Sequence, residues 1–128
     1  MRHVANWLER KLAQPAATVA SPRTVSKEFS RFSGREHFAG VTLTVRPAEE
    51  LSLRFSVEPS EADFRWAIED TILCALLSRY RQPVLRLEVT VDAIQEKASA
   101  SSYFSFKMAT SEAIEEALGG VSTNIVWR

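Results

Sequence analysis

The spacing of apolar residues changes several times along the chain, and each spacing predicts a different element. In the first stretch the apolar residues stand at i, i+3, i+4 and i+8, as on one side of a short helix: Val4, Trp7, Leu8 and Leu12. Pro15 should end this helix, because proline is excluded from helix interiors. We therefore predict an amphipathic helix within residues 1–14 and, from its small and proline-bounded composition, a linker over residues 15–22 (PAATVASP).

From residue 23 the alternation is that of strands. Arg23–Ser33 is predicted as an amphipathic edge strand, with Val25 and Phe29 on the same face as the basic residues Arg23, Lys27 and Arg31. A turn around Gly34–His37 leads into a second strand, Phe38–Arg46. Leu51–Glu58 follows as the most regular strand, with an apolar residue at every second position.

After Pro59 the period becomes helical. Ser60 and Asp63 have the spacing of a capping pair at a helix start. Two apolar stripes run along this helix, which predicts that it is largely covered: Phe64, Ile68, Ile72, Ala75 and Leu76 in one, and Trp66, Leu73, Leu77 and Tyr80 in the other. Val84–Val91 then returns to strand alternation, and Asp92–Ala100 is predicted as a polar loop.

The last part of the chain predicts a second helix and a short strand. Ser99, Ser101 and Ser102 are candidate N-caps for the helix, which Gly119 and Gly120 should end. The residues expected to face the sheet are Phe106, Thr110, Ala113, Ile114 and Ala117. The predicted order is α-βββ-α-β-α-β, which favours an α+β domain over residues 23–128, with a mixed sheet and two helices packed on one face.

Composition fits a single folded domain. The chain has 128 residues, of which 45% are hydrophobic and 25% charged, which argues against disorder. It contains no apolar run long enough for a membrane span and no apolar core typical of a signal peptide. With one cysteine, Cys74, no disulfide can form within the chain, and we expect a cytoplasmic protein.

The net charge is zero, but it is unevenly distributed. Residues 2–46 carry eight Lys or Arg and three acids, whereas the rest of the chain carries eight and thirteen. A basic face can bind RNA or an acidic partner even when the total charge is neutral. The alternative is two solvated faces of opposite sign.

The sequence offers no catalytic or metal-binding constellation. His3 and His37 are the only histidines, and neither stands at a metal-ligand spacing from Cys74 or an acid. We interpret Cys74 as a small core residue and the serines as helix caps. We therefore expect a protein that is not an enzyme and that has no metal, nucleotide or covalent cofactor.

Four segments, in order and spacing, carry a family resemblance: TVSKEFSRFSGREHFAGVTLTVRP, FRWAIEDTILCALL, QPVLRLEVTVDA and SASSYFSFKMATSEAIEEAL. Together they make the stretch from Ser21 to Gly120 similar to domain IV of bacterial elongation factor G. The resemblance implies the fold of the second domain of a small-subunit ribosomal protein, with a left-handed β-α-β crossover. It also implies that two tip loops enter the ribosomal A site, here Ser33–His37 and Asp92–Ala100.

The chain departs from the family at both loops. The first loop has only Gly34 where the family has more glycine. In the second loop Lys97 stands where the family has a histidine, and Ala100 replaces an acidic residue. No segment resembles a GTPase domain or its phosphate-binding glycine loop, so the chain cannot couple GTP hydrolysis to anything by itself.

Two functions remain, in different classes. The first is a non-catalytic translation-factor-like module whose partner is the ribosome, structured RNA or a translation-related protein. Its contact residues would be Lys27, Arg31, Arg35, His37 and Lys97. Glu36 and Glu96, in the same two loops, oppose this charge. The second is a protein-interaction or self-associating domain without a nucleic-acid role. Its interaction surface would be Val4, Trp7, Leu8 and Leu12, which would pack either on the chain's own sheet or on a second chain in a homo-oligomer. Neither function involves a membrane.

Overall fold

The computed structural model describes residue 6 and residues 17–79, 83–119 and 125–126. Its elements in chain order are β1 (Thr18–Val19), β2 (Arg23–Ser33), β3 (Arg35–Pro47), β4 (Ser52–Phe55), α1 (Ala62–Ser78), β5 (Leu87–Gln95), α2 (Tyr103–Leu118) and β6 (Ile125–Val126). The predicted N-terminal helix lies outside the described residues, except for Asn6. Neither described helix has the length and apolarity that a membrane span requires.

The strands from β2 to β5 form a mixed sheet in the order β2-β3-β5-β4. β3 pairs antiparallel with β2 and with β5, whereas β4 pairs parallel with β5. A parallel pair needs a crossover connection, and here α1 supplies it. The predicted α+β class with a mixed sheet and two helices is confirmed. The left-handedness of the β4-α1-β5 crossover stays a prediction.

One hydrophobic core lies between the sheet and the two helices. The inward residues of β2, β3 and β5 alternate with outward ones, as Val25, Leu43 and Val89 show. The helices contribute the stripes predicted from their spacing, and the rings of Phe64 and Phe106 lie 4.9 Å apart between them. Fully burying a side chain of this size contributes about 1.5–3 kcal/mol, so this layer dominates the stability of the domain.

The prediction of a polar loop over Asp92–Ala100 is wrong in its first half, because β5 continues to Gln95. A bulge in the β3–β5 pairing lies between Thr42 and Leu43, which pair with Ala93 and Val91. The extra residue in β5 shifts the alternation by one, as bulges do. Ile94 therefore packs against the core at three residues from Val91, a spacing that strict alternation does not predict.

The predicted linker over residues 15–22 is also corrected. Thr18–Val19 forms β1, which pairs antiparallel with β6 in a separate two-stranded sheet. The preceding Ala17 is fully buried, bridges Val84, and donates its backbone N–H to Pro83 O at 2.8 Å. Small side chains here permit close packing against the body of the domain, so a composition typical of a linker encodes part of the core.

The two helix starts differ from each other. Ser102 is the N-cap of α2 and forms a capping box with Ser105: the backbone N–H of each residue donates to the hydroxyl of the other. Of the three serines predicted as candidate N-caps, Ser102 is therefore the one that caps the helix. The predicted cap at Ser60 is wrong, because Glu61 is the N-cap of α1 and makes no side-chain cap hydrogen bond. The Ser60 hydroxyl instead donates to Glu96.

The sheet face away from the helices carries a chain of hydroxyl groups. The hydroxyls of Thr24 and Thr44 lie 2.8 Å apart, and Thr44 donates to the Asp92 carboxylate at 2.6 Å. Asp92 is the extra residue at the bulge, so the bulge aims this carboxylate at β3. This network links three strands on a polar face.

Candidate nucleic-acid interface

The β2–β3 hairpin ends in a one-residue turn. Ser33 pairs with Arg35 across Gly34, which has φ of +73°. Glycine adopts this left-handed conformation without the steric cost that a Cβ brings. The predicted turn over Gly34–His37 is therefore shorter than expected, because Arg35 and His37 already belong to β3.

An exposed aromatic ring stands at the end of this hairpin. Phe32 is 79% exposed, the largest exposure among the large hydrophobic residues that the structure describes. Along the chain it lies between Arg31 and Arg35, which are both exposed and make no ion pair with any described residue. The hairpin register pairs Phe32 with Glu36 and Ser33 with Arg35, so the ring lies on one face of the hairpin and the two arginines lie on the other. We call residues 31–36 the hairpin tip.

Sequence reasoning missed Phe32, although a signal existed. Val25 and Phe29 alternate on the helix-facing side of β2, and Phe32 stands three residues after Phe29, on the opposite and polar face. An aromatic residue out of phase with the core positions of its strand predicts an exposed ring.

The second predicted loop lies against the hairpin tip, as expected. The Phe38 backbone N–H donates to Ala100 O at 3.0 Å, and the Ser101 hydroxyl donates to Phe38 O at 2.8 Å. Lys97 Nζ lies 3.3 Å from the Glu36 carboxylate and 5.1 Å from the centre of the Phe38 ring. Both partners of this pair are about half exposed, so it stabilises the fold by about 1 kcal/mol at most.

The two acids predicted to oppose the positive charge, Glu36 and Glu96, have different partners. Glu36 pairs with Lys97, as expected of an opposing charge. Glu96 points toward α1, where its carboxylate accepts the Ser60 backbone N–H at 3.1 Å. The positive charge left over at the tip is that of Arg31 and Arg35.

The other two predicted contact residues, Lys27 and His37, are less available. Lys27 forms an ion pair of 2.9 Å with Glu116 of α2, which joins the edge strand to the helix layer. His37 is half-buried, with its ring centre 6.1 Å from that of Phe104, and its Nδ1 has no hydrogen-bond partner among the described residues. Arg31 and Arg35 are thus the most available of the five predicted contact residues.

The residues predicted to form an interaction surface, Val4, Trp7, Leu8 and Leu12, lie outside the described residues. The described residues do not cover the outer stripe of α1 as predicted, and its last residue, Tyr80, lies outside them. Trp66 is 56% and Leu73 37% exposed, while Leu77 is half-buried. An apolar stripe on a helix predicts that another surface covers it, but the stripe does not show which part of this chain, or which partner, supplies that surface.

Cys74 is exposed and not a core residue, because the inward positions of α1 are taken by Ile72, Ala75 and Leu76. It lines an open groove of about 420 Å³ between α1 and α2, together with Tyr103. Within the described ranges, His, Cys, Asp and Glu form no cluster that could hold a metal ion.

Away from the tip, Arg65 joins β4 to α1. Its guanidinium lies 4.3 Å from the centre of the Phe55 ring and binds Glu58 and Glu69 at 2.8 Å each. The hydrogen bonds that it donates to Glu58 and then to Glu69 raise the pKa of Arg65. This group stays charged at any working pH and has a structural role.

No family model matches the chain, and no curated protein matches its sequence. Its fold does match solved structures, among them the crystal structure of a protein from Thermus thermophilus, with a TM-score of 0.67 at 20% identity. The match covers 79% of this chain and 16% of the Thermus chain. The chain therefore has the fold of one segment of a much longer protein.

Proposed function

We propose that this domain is a non-catalytic, translation-factor-like module that binds structured RNA, including ribosomal RNA, through the hairpin tip. The observation that carries the proposal is that one short hairpin tip presents the 79% exposed ring of Phe32 together with Arg31 and Arg35, two arginines without ion pairs among the described residues. The family resemblance to domain IV of elongation factor G supports the same end of the molecule as the contact surface.

The chemistry of the tip suits unpaired bases beside phosphates. A base that stacks on an exposed aromatic ring contributes about 1–3 kcal/mol to binding. Arg31 and Arg35, on the other face of the same tip, can each neutralise a phosphate, and one guanidinium group can bind two phosphate oxygens at once. A hairpin whose end carries these three side chains can enter a narrow RNA cleft.

The paired charges limit this surface to the tip. Lys27 and Lys97 already have carboxylate partners, so their contribution to phosphate binding is reduced unless RNA displaces Glu116 or Glu36. We therefore assign RNA recognition to Arg31, Phe32 and Arg35. Lys97 contributes only where RNA displaces Glu36 from it.

The test is binding to ribosomes and to a labelled RNA hairpin with an unpaired loop, measured over a salt series. In the double variant Arg31→Glu and Arg35→Glu, affinity should fall, and the slope of log K against log salt should become shallower by roughly 1.5–2. The matched control is Arg46→Glu with Arg54→Glu, which changes the charge equally at exposed positions away from the tip.

Phe32 is tested separately from charge. Phe32→Leu keeps an apolar side chain but removes the aromatic face, so affinity should fall with the salt slope unchanged. Wild-type protein that binds neither probe at low salt would refute the proposal. Equal losses in the tip and control double variants would show unspecific attraction to the whole charge distribution.

The alternative, a protein-interaction domain without a nucleic-acid role, draws on a different surface. The exposed side chains of Trp66 and Leu73 on α1 favour some protein contact there. Such a contact does not compete with the tip, because it uses a different element.

A further inference from the structure

The outer stripe of α1 is an apolar surface opposite the core. Trp66, Leu73 and Leu77 follow one another at seven and four residues, which places them on one side of the helix. The core residues Phe64, Ile68, Ile72, Ala75 and Leu76 occupy the other side. Trp66 and Leu73 remain 56% and 37% exposed. A helix that is apolar on both sides is usually packed against other protein surfaces on both sides.

We propose that the N-terminal segment of this same chain, residues 4–12, covers the outer stripe of α1. This inference concerns a different face from the hairpin tip and does not depend on the proposed function.

The first argument is where the chain enters the described body. Ala17 donates its N–H to Pro83 O, and the neighbouring Val84 donates its N–H to Leu76 O, each at 2.8 Å. Ala17 therefore lies beside the C-terminal end of α1. Five residue steps separate Leu12 from Ala17, a reach of up to about 17 Å. The segment is thus tethered within reach of Leu77 and Leu73.

The second argument is a match of length and shape. From Trp66 to Leu77 the stripe is about 16 Å long, and a helix from Val4 to Leu12 is about 12 Å long. The groove of about 420 Å³ between α1 and α2 meets the stripe at Asp70 and is lined in part by Cys74, Ala75 and Met108. It offers an apolar site for the ring of Trp7, and an aromatic side chain buries about 150–250 Å².

The third argument is charge. Asp70 is exposed, stands four residues after Trp66 within the outer stripe, and also lines the groove. Lys11, four residues after Trp7 and three after Leu8, borders the apolar stripe of the N-terminal segment. The two stripes thus carry opposite charges among their apolar residues. A tethered segment also needs no second molecule, because attachment gives it a millimolar effective concentration.

The test is amide hydrogen exchange of the full-length protein. We expect amides of residues 4–12 to exchange about tenfold or more slowly than in an unstructured chain. The double variant Trp66→Ala and Leu73→Ala should abolish this protection and leave that of β3 and β5 unchanged. Phe32→Ala, which removes another exposed aromatic ring from the far hairpin tip, should leave residues 4–12 protected.

A reciprocal measurement uses the only cysteine. Cys74 lines the groove, so its alkylation should become several-fold faster in Trp7→Ala with Leu8→Ala, and not in Phe32→Ala. Unprotected amides at residues 4–12, or protection that survives the Trp66 and Leu73 changes, would overturn the proposal. Protection that appears only with rising protein concentration, together with a dimer mass by light scattering, would assign the stripe to a second copy and overturn it as well.

Discussion

Two buried threonines should respond in opposite ways to the same substitution. Thr110 in α2 is fully buried, and its hydroxyl has no hydrogen-bond partner among the described residues. Valine has nearly the same shape without the hydroxyl. A buried hydroxyl without a partner costs about 1–3 kcal/mol in proteins. Thr110→Val should therefore increase the free energy of unfolding by about 1 kcal/mol or more, since the two residues have similar helix propensities.

The matched control is Thr44→Val. Thr44 is 6% exposed, and its hydroxyl contacts both Thr24 and the Asp92 carboxylate. Removing it leaves Asp92 without this donor, so the free energy of unfolding should fall by about 1–3 kcal/mol. The two variants therefore differ in sign although the chemical change is identical.

Urea unfolding, followed by circular dichroism, measures both. The dependence of the unfolding free energy on urea is about 1–3 kcal/mol per molar for small domains, so Thr110→Val should raise the midpoint by roughly 0.3–1 M. Thr110→Ser keeps the hydroxyl and loses the methyl group, and it should lower the midpoint. If Thr110→Val is destabilised as much as Thr44→Val, the Thr110 hydroxyl has a partner and the reasoning fails.

Three further outcomes are expected. Gly40→Ala should lower the free energy of unfolding by about 1–3 kcal/mol, because a Cβ there would lie 2.7–2.9 Å from Oε1 and Cβ of Gln95. Urea unfolding of the double variant Gly40→Ala with Gln95→Gly should show that part of this loss is restored. Ser102→Ala should cost about 1 kcal/mol by removing the N-cap of α2, and a thermal melt that does not move would contradict this role. Glu36→Gln should release Lys97 and steepen the salt slope of RNA binding by about one, whereas an unchanged slope would exclude Lys97 from the contact.

The periodic elements of this fold could be predicted from the sequence. The inward stripes of both helices and the alternation of β2 extend over enough residues to define a buried face, and all were confirmed. The bulge at Asp92 could not be predicted, because the register of β5 depends on its pairing with β3. Likewise, β1 owes its strand conformation to β6, more than a hundred residues away, and its two residues carry no period.

The candidate site was predicted in outline only. The convergence of the two loops followed from the family resemblance, and the hydrogen bonds of Phe38 bear it out. Which cations remain available could not be predicted, because the partners of Lys27 and Lys97 come from distant parts of the chain. Phe32 was within reach of sequence reasoning through its phase in β2.

The pairing of β1 with β6 has a consequence for how such a domain can be transplanted. Thr18 faces Val126 and Val19 faces Ile125, so the chain enters and leaves the folded body about 5 Å apart, at neighbouring strands. Insertion into a host protein succeeds most readily when the guest's ends are this close, because the host loop need not spread to admit it. A surface loop of an unrelated protein should therefore accept residues 17–126 as a folded insert, with the hairpin tip still free to reach its target.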